Sequence, residues 1–254
     1  MASEDRFGYE WDKYSDIYPD YEQQFLNWIS PLGSEDFIGK DILDAGCGMG
    51  RNSYYALQYG AQSIMAFDAD MRSVQAARKN LADFSNSEIL LMNIYDLNYE
   101  NRFDLIFSIG VIHHLENPKL ALKNLIRALK PGGEILFWVY SYEGNEWIKK
   151  YISPIREKFF SKLPISYLHF ITYLVSIPFY FFIKIFPEAN SYIVQISRFS
   201  FPHVHSIVFD QLLPKVANYW TKNQVLSMVE NLDLSHISIQ SPPNKMGWTL
   251  VGKK

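Results

Sequence analysis

Residues 41–50, DILDAGCGMG, run from a short apolar stretch into a turn with glycine at 46, 48 and 50 and an acid, Asp44, two residues before the first glycine. Glycine at those positions lets the backbone bend sharply and approach a ligand whose space a side chain would otherwise fill. The following residues, RNSYYALQYG, read as a helix ending at Gly60, which puts the turn at a helix N-terminus with outward N–H groups. The spacing GxGxG differs from the dinucleotide fingerprint GxGxxG. A polyphosphate would sit poorly beside Asp44, whereas an amino group or a sulfonium would be favoured there.

The next hundred residues continue the pattern. SIMAFD (63–68) is a second apolar run ending in an acid 24 residues after Asp44, near the spacing at which an acid binds ribose hydroxyls in nucleotide-binding βαβ units. Asp70 reads as the N-cap of the helix that follows. EILLMN (88–93) and FDLIFSI (103–109) are the third and fourth strands, and a helix opened by Pro118 carries a leucine and isoleucine stripe at 120, 122, 125, 126 and 129. Pro131-Gly132-Gly133 stops it before a fifth strand, EILFWVY (134–140). Alternating strands and helices of this length predict a parallel sheet covered on both faces, with a ligand at the carboxyl ends of strands one and four.

The form DxGxGxG, with LKPGGEILF ahead of the fifth strand, resembles the class I S-adenosylmethionine (SAM) dependent methyltransferases. The resemblance implies an α/β, Rossmann-like three-layer sandwich whose seven-stranded, mostly parallel sheet is completed by a C-terminal hairpin around SPPNKMG, here with an inserted helical cap. It implies SAM as cofactor, held by Asp44, Gly46, Cys47, Gly48, Gly50, Asp68, Ala69, Asn93, Ile94 and Ser108. Asn93 stands where the family usually has an acid for the adenine amino group; its amide oxygen can accept the same bond, and Asp96 is the fallback. The resemblance covers 35–140 and 216–254. Residues 1–34 read as an aromatic helical segment over the cofactor, and 141–215 as an apolar helical cap.

Composition narrows the function. A chain of 254 residues with 48% hydrophobic content can bury a full core. A formal net charge of -3 gives no electrostatic footprint for nucleic acid, so none is expected as a partner. MASEDRFGYEWDKY lacks the apolar core of a signal peptide, which predicts a cytoplasmic protein. The single cysteine, Cys47, precludes an internal disulfide, and no metal-ligand spacing is evident, so no metal is expected.

ISYLHFITYLVSIPFYFFI (165–183) passes nineteen residues without a formal charge, long enough to raise a membrane span. Strands of one sheet flank it, and Pro178 interrupts a straight helix, so the segment reads as part of the cap. The cap's aromatics are either core, the wall of a substrate chamber, or a face resting on a membrane. Lys149, Lys150, Arg156, Lys158 and Lys162 precede it, giving an expected peripheral membrane contact through 149–186, at the inner membrane face.

The acceptor is therefore expected to be a small or hydrophobic, lipid-like molecule, methylated at oxygen or nitrogen. His113 and His114 after strand four, and His205 in FPHVHSIVFDQLLP, are the candidate bases. Tyr9, Trp11, Tyr14, His203 and Tyr219 are candidate substrate contacts, against an alternative of ordinary aromatic packing. Arg51 reads as a local ion pair or a carboxylate holder. Two rival readings keep the SAM site: a non-methylating cyclisation or rearrangement, and an accessory subunit docking through its cap.

Overall fold

The computed structural model describes residues 4–189, 191–242 and 244–254. Two helices, α1 (Glu4–Lys13) and α2 (Asp20–Ile29), precede an alternating series: β1 (Asp41–Ala45), α3 (Arg51–Gln58), β2 (Ser63–Asp68), α4 (Met71–Asn80), β3 (Ser87–Leu91), β4 (Phe103–Ile109), α5 (Pro118–Ala128) and β5 (Leu129–Tyr140). A helical stretch follows, with α6 (Ser153–Lys158), α7 (Ile165–Ile185), α8 (Ser191–Ile196) and α9 (Phe201–Leu212). The chain then closes with α10 (Lys222–Val229), β6 (Ser235–Gln240) and β7 (Gly247–Lys253).

The strands form one seven-stranded sheet in the order β3-β2-β1-β4-β5-β7-β6. β1 to β5 are parallel, and β7 enters antiparallel between β5 and β6. Alternate residues of the central strands feed two cores. Leu43, Ala45, Met65, Phe67 and Ile106 face α5 and α10, while Ile42, Ile64, Leu105, Phe107 and Leu136 face α2 and α3. Both faces being covered explains why these strands read as continuous apolar runs.

Two local readings change. Pro131-Gly132-Gly133 is a kink inside β5, not a stop before it: Leu129 already pairs with Phe103, and the register shifts before Leu105 meets Glu134. Gly132 takes φ +79, and at Gly133 a Cβ would lie 2.9 Å from the Lys130 carbonyl. Pro178 does not break α7, which runs through it. Its missing N–H leaves the Leu174 carbonyl without its helical partner, and both residues are exposed, where water can serve.

The helix start read from Asp70 holds, its carboxylate accepting from the Arg72 N–H at 2.8 Å, and Thr221 forms a reciprocal capping box with Gln224 at the start of α10. The C-terminal turn SPPNKMG contains Pro243, outside the described residues. α7 packs on α9 through Leu168, Thr172, Ser176 and Ile183 and exposes Phe170, Leu174, Phe181 and Ile185 on its other side. Among the described residues it is the helix long and apolar enough, by length and composition, to cross a membrane.

Phe107 sits at the middle of the sheet with its ring 5.8 Å from Phe25 and 6.1 Å from Phe37. Phe107→Ala should cost about 3–5 kcal/mol, the usual range for emptying a core aromatic site, read as a lower urea midpoint with an unchanged slope.

Candidate active site

The glycine turn is fixed from below. The Gly46 and Cys47 N–H groups donate to the Phe67 carbonyl at 2.9 Å, and the Gly48 N–H donates to Asp68 Oδ2 at 3.0 Å. The second oxygen of Asp68 accepts from the Asp70 N–H, so the carboxylate at the end of β2 holds the turn as well as facing outward. Gly46, Gly48 and Gly50 take φ of +82, +55 and +82, where an L side chain is strained. A Cβ at Gly46 would meet the Val111 side chain at 2.5 Å, and one at Gly48 the Trp11 indole at 2.9 Å.

Above the turn lies a cavity of about 290 Å³. One end follows the carboxyl ends of the strands, past Gly46, Gly48, Asp68, Ala69, Asn93 and Ile94. The other opens between α1, α9 and the end of β5, past Glu10, Trp138, Tyr140, His203, Asp210 and Tyr219. α1 closes the top: Phe7 and Trp11 line the cavity, and Gly8 stacks so tightly on Asp70 that a Cβ would collide with its carboxyl.

Asp44 is buried beneath the turn. Its Oδ2 accepts from the Ser53 hydroxyl at 2.7 Å, its Oδ1 has no partner, and burial pushes its carboxyl up to about 7. Burial also raises Asp68 and the Cys47 thiol. A cavity with a glycine cradle and the Asp68 carboxyl on its wall, and the Asp44 carboxyl buried beneath the turn, fits a ligand carrying hydroxyls and a positive charge.

The structure gathers many of the expected residues and scatters others. Gly46, Cys47, Gly48, Asp68, Ala69, Asn93, Ile94, Trp11, His114, His203 and Tyr219 line the cavity; Asp44, Gly50 and Ser108 lie behind its wall. Ser108 donates to the Ala45 carbonyl at 2.9 Å, tying β4 to β1. His113 is fully buried against Tyr140, off the cavity, and burial holds it well below the usual imidazole range. His205 pairs through Nδ1 with the Ser176 hydroxyl at 2.6 Å and stacks on Tyr173, also off the cavity. Neither can reach an acceptor there, because each is spent on packing between elements. His114 does line the cavity; its Nδ1–H donates to the Val216 carbonyl, and burial brings it down to about 4, so it is neutral at pH 7.

Tyr14 hydrogen-bonds His169 at 2.8 Å, and Tyr9 packs edge-on to Phe209, so both join α1 to the cap instead of lining the cavity. His203 is stacked 3.9 Å from Phe199 and lowered to about 3 by burial. Arg51 is neither in a short ion pair nor solitary: its guanidinium lies over the rings of Trp11, Tyr21 and Trp28. Glu10, Trp138, Tyr140 and Gln211 were missed as site residues. The one available signal was an acid between two aromatics in Tyr9-Glu10-Trp11.

A family model described as a methyltransferase domain matches residues 43–137. Over those residues the chain carries a methyltransferase domain. Its sheet order and flanking helices are those of the Rossmann-like fold of the class I methyltransferases, and SAM is the cofactor of such a domain. In fold, the chain is similar to the N-methyltransferase NodS from Bradyrhizobium japonicum, solved with S-adenosyl-L-homocysteine: TM-score 0.53, 12% identity, 94% of this chain and 89% of that one. It is likewise similar to a chain of a complex containing the Haloferax volcanii Trm112 methyltransferase activator, at TM-score 0.57 and 15% identity, covering 96% of this chain and 95% of that one.

In sequence, it is similar to a Nautilia profundicola protein named tRNA U34 carboxymethyltransferase, 31% identical over 147 residues, which is 57% of this chain and 48% of that protein. The chain thus spans about half the length of this curated relative. That relative's name places tRNA where a small or lipid-like acceptor was expected, and it corrects the exclusion of nucleic acid. The membrane contact through 149–186 falls with that expectation. Net charge is an average over the whole surface and carries no information about one cavity, which is why it misled.

The pH response of stability follows from Asp44. Its folded value lies above that of an unfolded aspartate, so the folded form binds the extra proton, and stability is lost as pH rises from about 4 through 7. Asp44→Asn should flatten that part of the profile by a few kcal/mol, measured by urea unfolding of the ligand-free protein at a series of pH values.

Proposed function

We propose that this chain is a SAM-dependent methyltransferase that modifies a uridine of tRNA. The observation that carries the reading is the 31% identity, over 57% of the chain, to a relative named for tRNA U34. A cytoplasmic location accords with such a substrate.

The residues are assigned accordingly. Asp68 and Ala69 meet the ribose, Asn93 and Ile94 the adenine, and Gly46, Cys47 and Gly48 the methionine end, with Asp44, Gly50 and Ser108 supporting them from behind. SAM supplies a carbon electrophile on a sulfonium. The chain's own contribution is to hold the acceptor in line and keep water out, which supplies much of the rate in such displacements. His114, neutral and on the cavity wall, is the histidine placed to take a proton. Domain roles follow: 1–34 as the lid, 35–140 with 216–254 as the cofactor-binding core, and 141–215 as the cap.

A surface beside the cavity supports an RNA substrate. Trp147, Tyr151 and Phe159 are exposed, and among them lie the exposed Lys149, Lys150, Lys158 and Lys162. Lys150 sits 5.0 Å over the Tyr151 ring. Of the acids in the same stretch, Glu146 accepts from the Gly144 N–H, and Glu157 remains exposed. Rings that stack on unpaired bases beside cations for phosphates are the elements of single-stranded RNA binding. Asn145, two residues before Trp147 in the chain, is on the cavity wall.

Incubation with methyl-tritiated SAM and bulk tRNA should place label in tRNA; turnover of SAM without labelled tRNA would sink the substrate class. The double variant Lys149→Glu, Lys150→Glu should bind tRNA about tenfold more weakly and flatten the log-affinity against log-salt slope by about 1.4, the value for two lost single-strand phosphate contacts.

A further inference from the structure

Glu10 has no evident reason to be where it is. It lies on α1 at 1% exposure, lines the cavity, and its Oε2 has no hydrogen-bond partner. Burying a carboxylate in this way costs several kcal/mol unless the group is neutral or a ligand completes it. Its surroundings favour the neutral form: burial comes first, Asp210 adds to it, and only Arg51 opposes, so Glu10 is held well above the ordinary carboxylate range. Asp210 is itself raised by burial and accepts from the Tyr140 hydroxyl at 3.0 Å.

A neutral carboxyl group presents one O–H donor and one carbonyl acceptor side by side. The complement is a lactam edge, an adjacent C=O and N–H, as on a uracil ring. Three further residues that line the same cavity carry an unpartnered polar atom: Gln24 Oε1 and Gln211 Oε1, both acceptors, and Trp138 Nε1, a donor packed against Gly247. Aromatic rings line the cavity too: Tyr140 packs on His113 at a centroid distance of 3.8 Å and on Tyr219 at 5.3 Å, with Trp138 edge-on to it. Base-reading pockets combine those features, edge hydrogen bonds with aromatic faces.

We propose that the cavity between α1, α9 and the end of β5 is a nucleobase subsite, in which the Glu10 carboxyl pairs with the lactam edge of a uracil-type base. The inference rests on the tRNA reading for the choice of base, and on the buried, unpartnered groups for the kind of edge. Glu10 acts here as a specificity residue, reading the base without entering the chemistry.

Three proteins test it: wild type, Glu10→Gln, which keeps adjacent donor and acceptor, and Glu10→Met, which keeps the shape but neither group. Each is titrated, in the presence of S-adenosylhomocysteine, with uridine and with 3-methyluridine, which lacks the N–H, and binding is followed by saturation-transfer NMR. Wild type and Glu10→Gln should bind uridine at least tenfold more tightly than 3-methyluridine, and Glu10→Met should bind the two alike. Glu10→Met should also unfold at the same or higher urea concentration, because an unpartnered buried group is removed; a large loss of stability would mean Glu10 is structural and overturn the subsite. Equal binding of both nucleosides by wild type overturns it as well. Labelled tRNA with no nucleoside discrimination leaves the substrate reading standing without the subsite, and discrimination with unlabelled tRNA does the reverse.

Discussion

The crevice at the carboxyl ends of β1 and β4 is the constraint on which the rest depends. From β1 the chain crosses one face of the sheet to β2, and it later returns across the other face to β4, so the loops after β1 and β4 diverge. Nothing built from the sheet itself fills the gap. The glycine turn occupies its floor only because Phe67 and Asp68, at the end of the neighbouring strand, accept its N–H groups. A carboxylate at that strand end thus has a structural reason to exist before any ligand is considered, and ligand hydroxyls can use its remaining lone pairs.

The open top of the crevice is closed from outside the sheet, and the magnitudes say what holds the lid. Arg72 pairs with Asp5 at 2.8 Å, but Asp5 is largely exposed, and pairs of that kind contribute little. Arg6 is buried and donates to the carbonyls of Ser161, Phe160 and Leu163, the end of the helical turn before α7. Charged hydrogen bonds in a buried setting are worth about 1.5–3 kcal/mol each, so Arg6 is the stronger clasp. It ties the lid to the cap, as the Tyr14 to His169 bond does. On the far side Arg156, also buried, donates to the Gln211 carbonyl and to the Ser153 hydroxyl, fixing α9 over the cavity. Lid, cap and sheet therefore move as one unit unless a buried guanidinium is released.

How far the sequence disclosed this follows from the range of each interaction. Strand limits were readable for β2 and β4 because apolar runs, acids and glycines act locally. The kink in β5 was not, since its cause is the pairing of Leu129 with Phe103, far away in the chain. Pro178 looked like a break because a proline's cost is local, while the packing of α7 on α9 that keeps it helical is not. His113 and His114 show the same limit at the site: adjacent in sequence, one is sealed against Tyr140 and the other faces the cavity. Glu10 was invisible for the opposite reason. An isolated acid in a charged N-terminal stretch reads as solvated until α9 is laid across it.

Charge explains why the partner was misjudged. A formal net charge of -3 argues against an extended electrostatic footprint, and the cavity does hold more acid than base, with Glu10 and Asp210 against Arg51. In a buried site, however, both carboxyls are pushed toward the protonated form, and a protonated carboxyl repels no phosphate and carries both a donor and an acceptor. Recognition of a base by edge pairing and stacking needs no positive field at the base itself; the field is needed only where the backbone passes, a role the proposed reading gives to the exposed Lys149, Lys150, Lys158 and Lys162. On the proposed reading, acidic interior and basic rim are parts of one arrangement: the rim would hold the chain of phosphates outside, and the interior would accept the one group that leaves it.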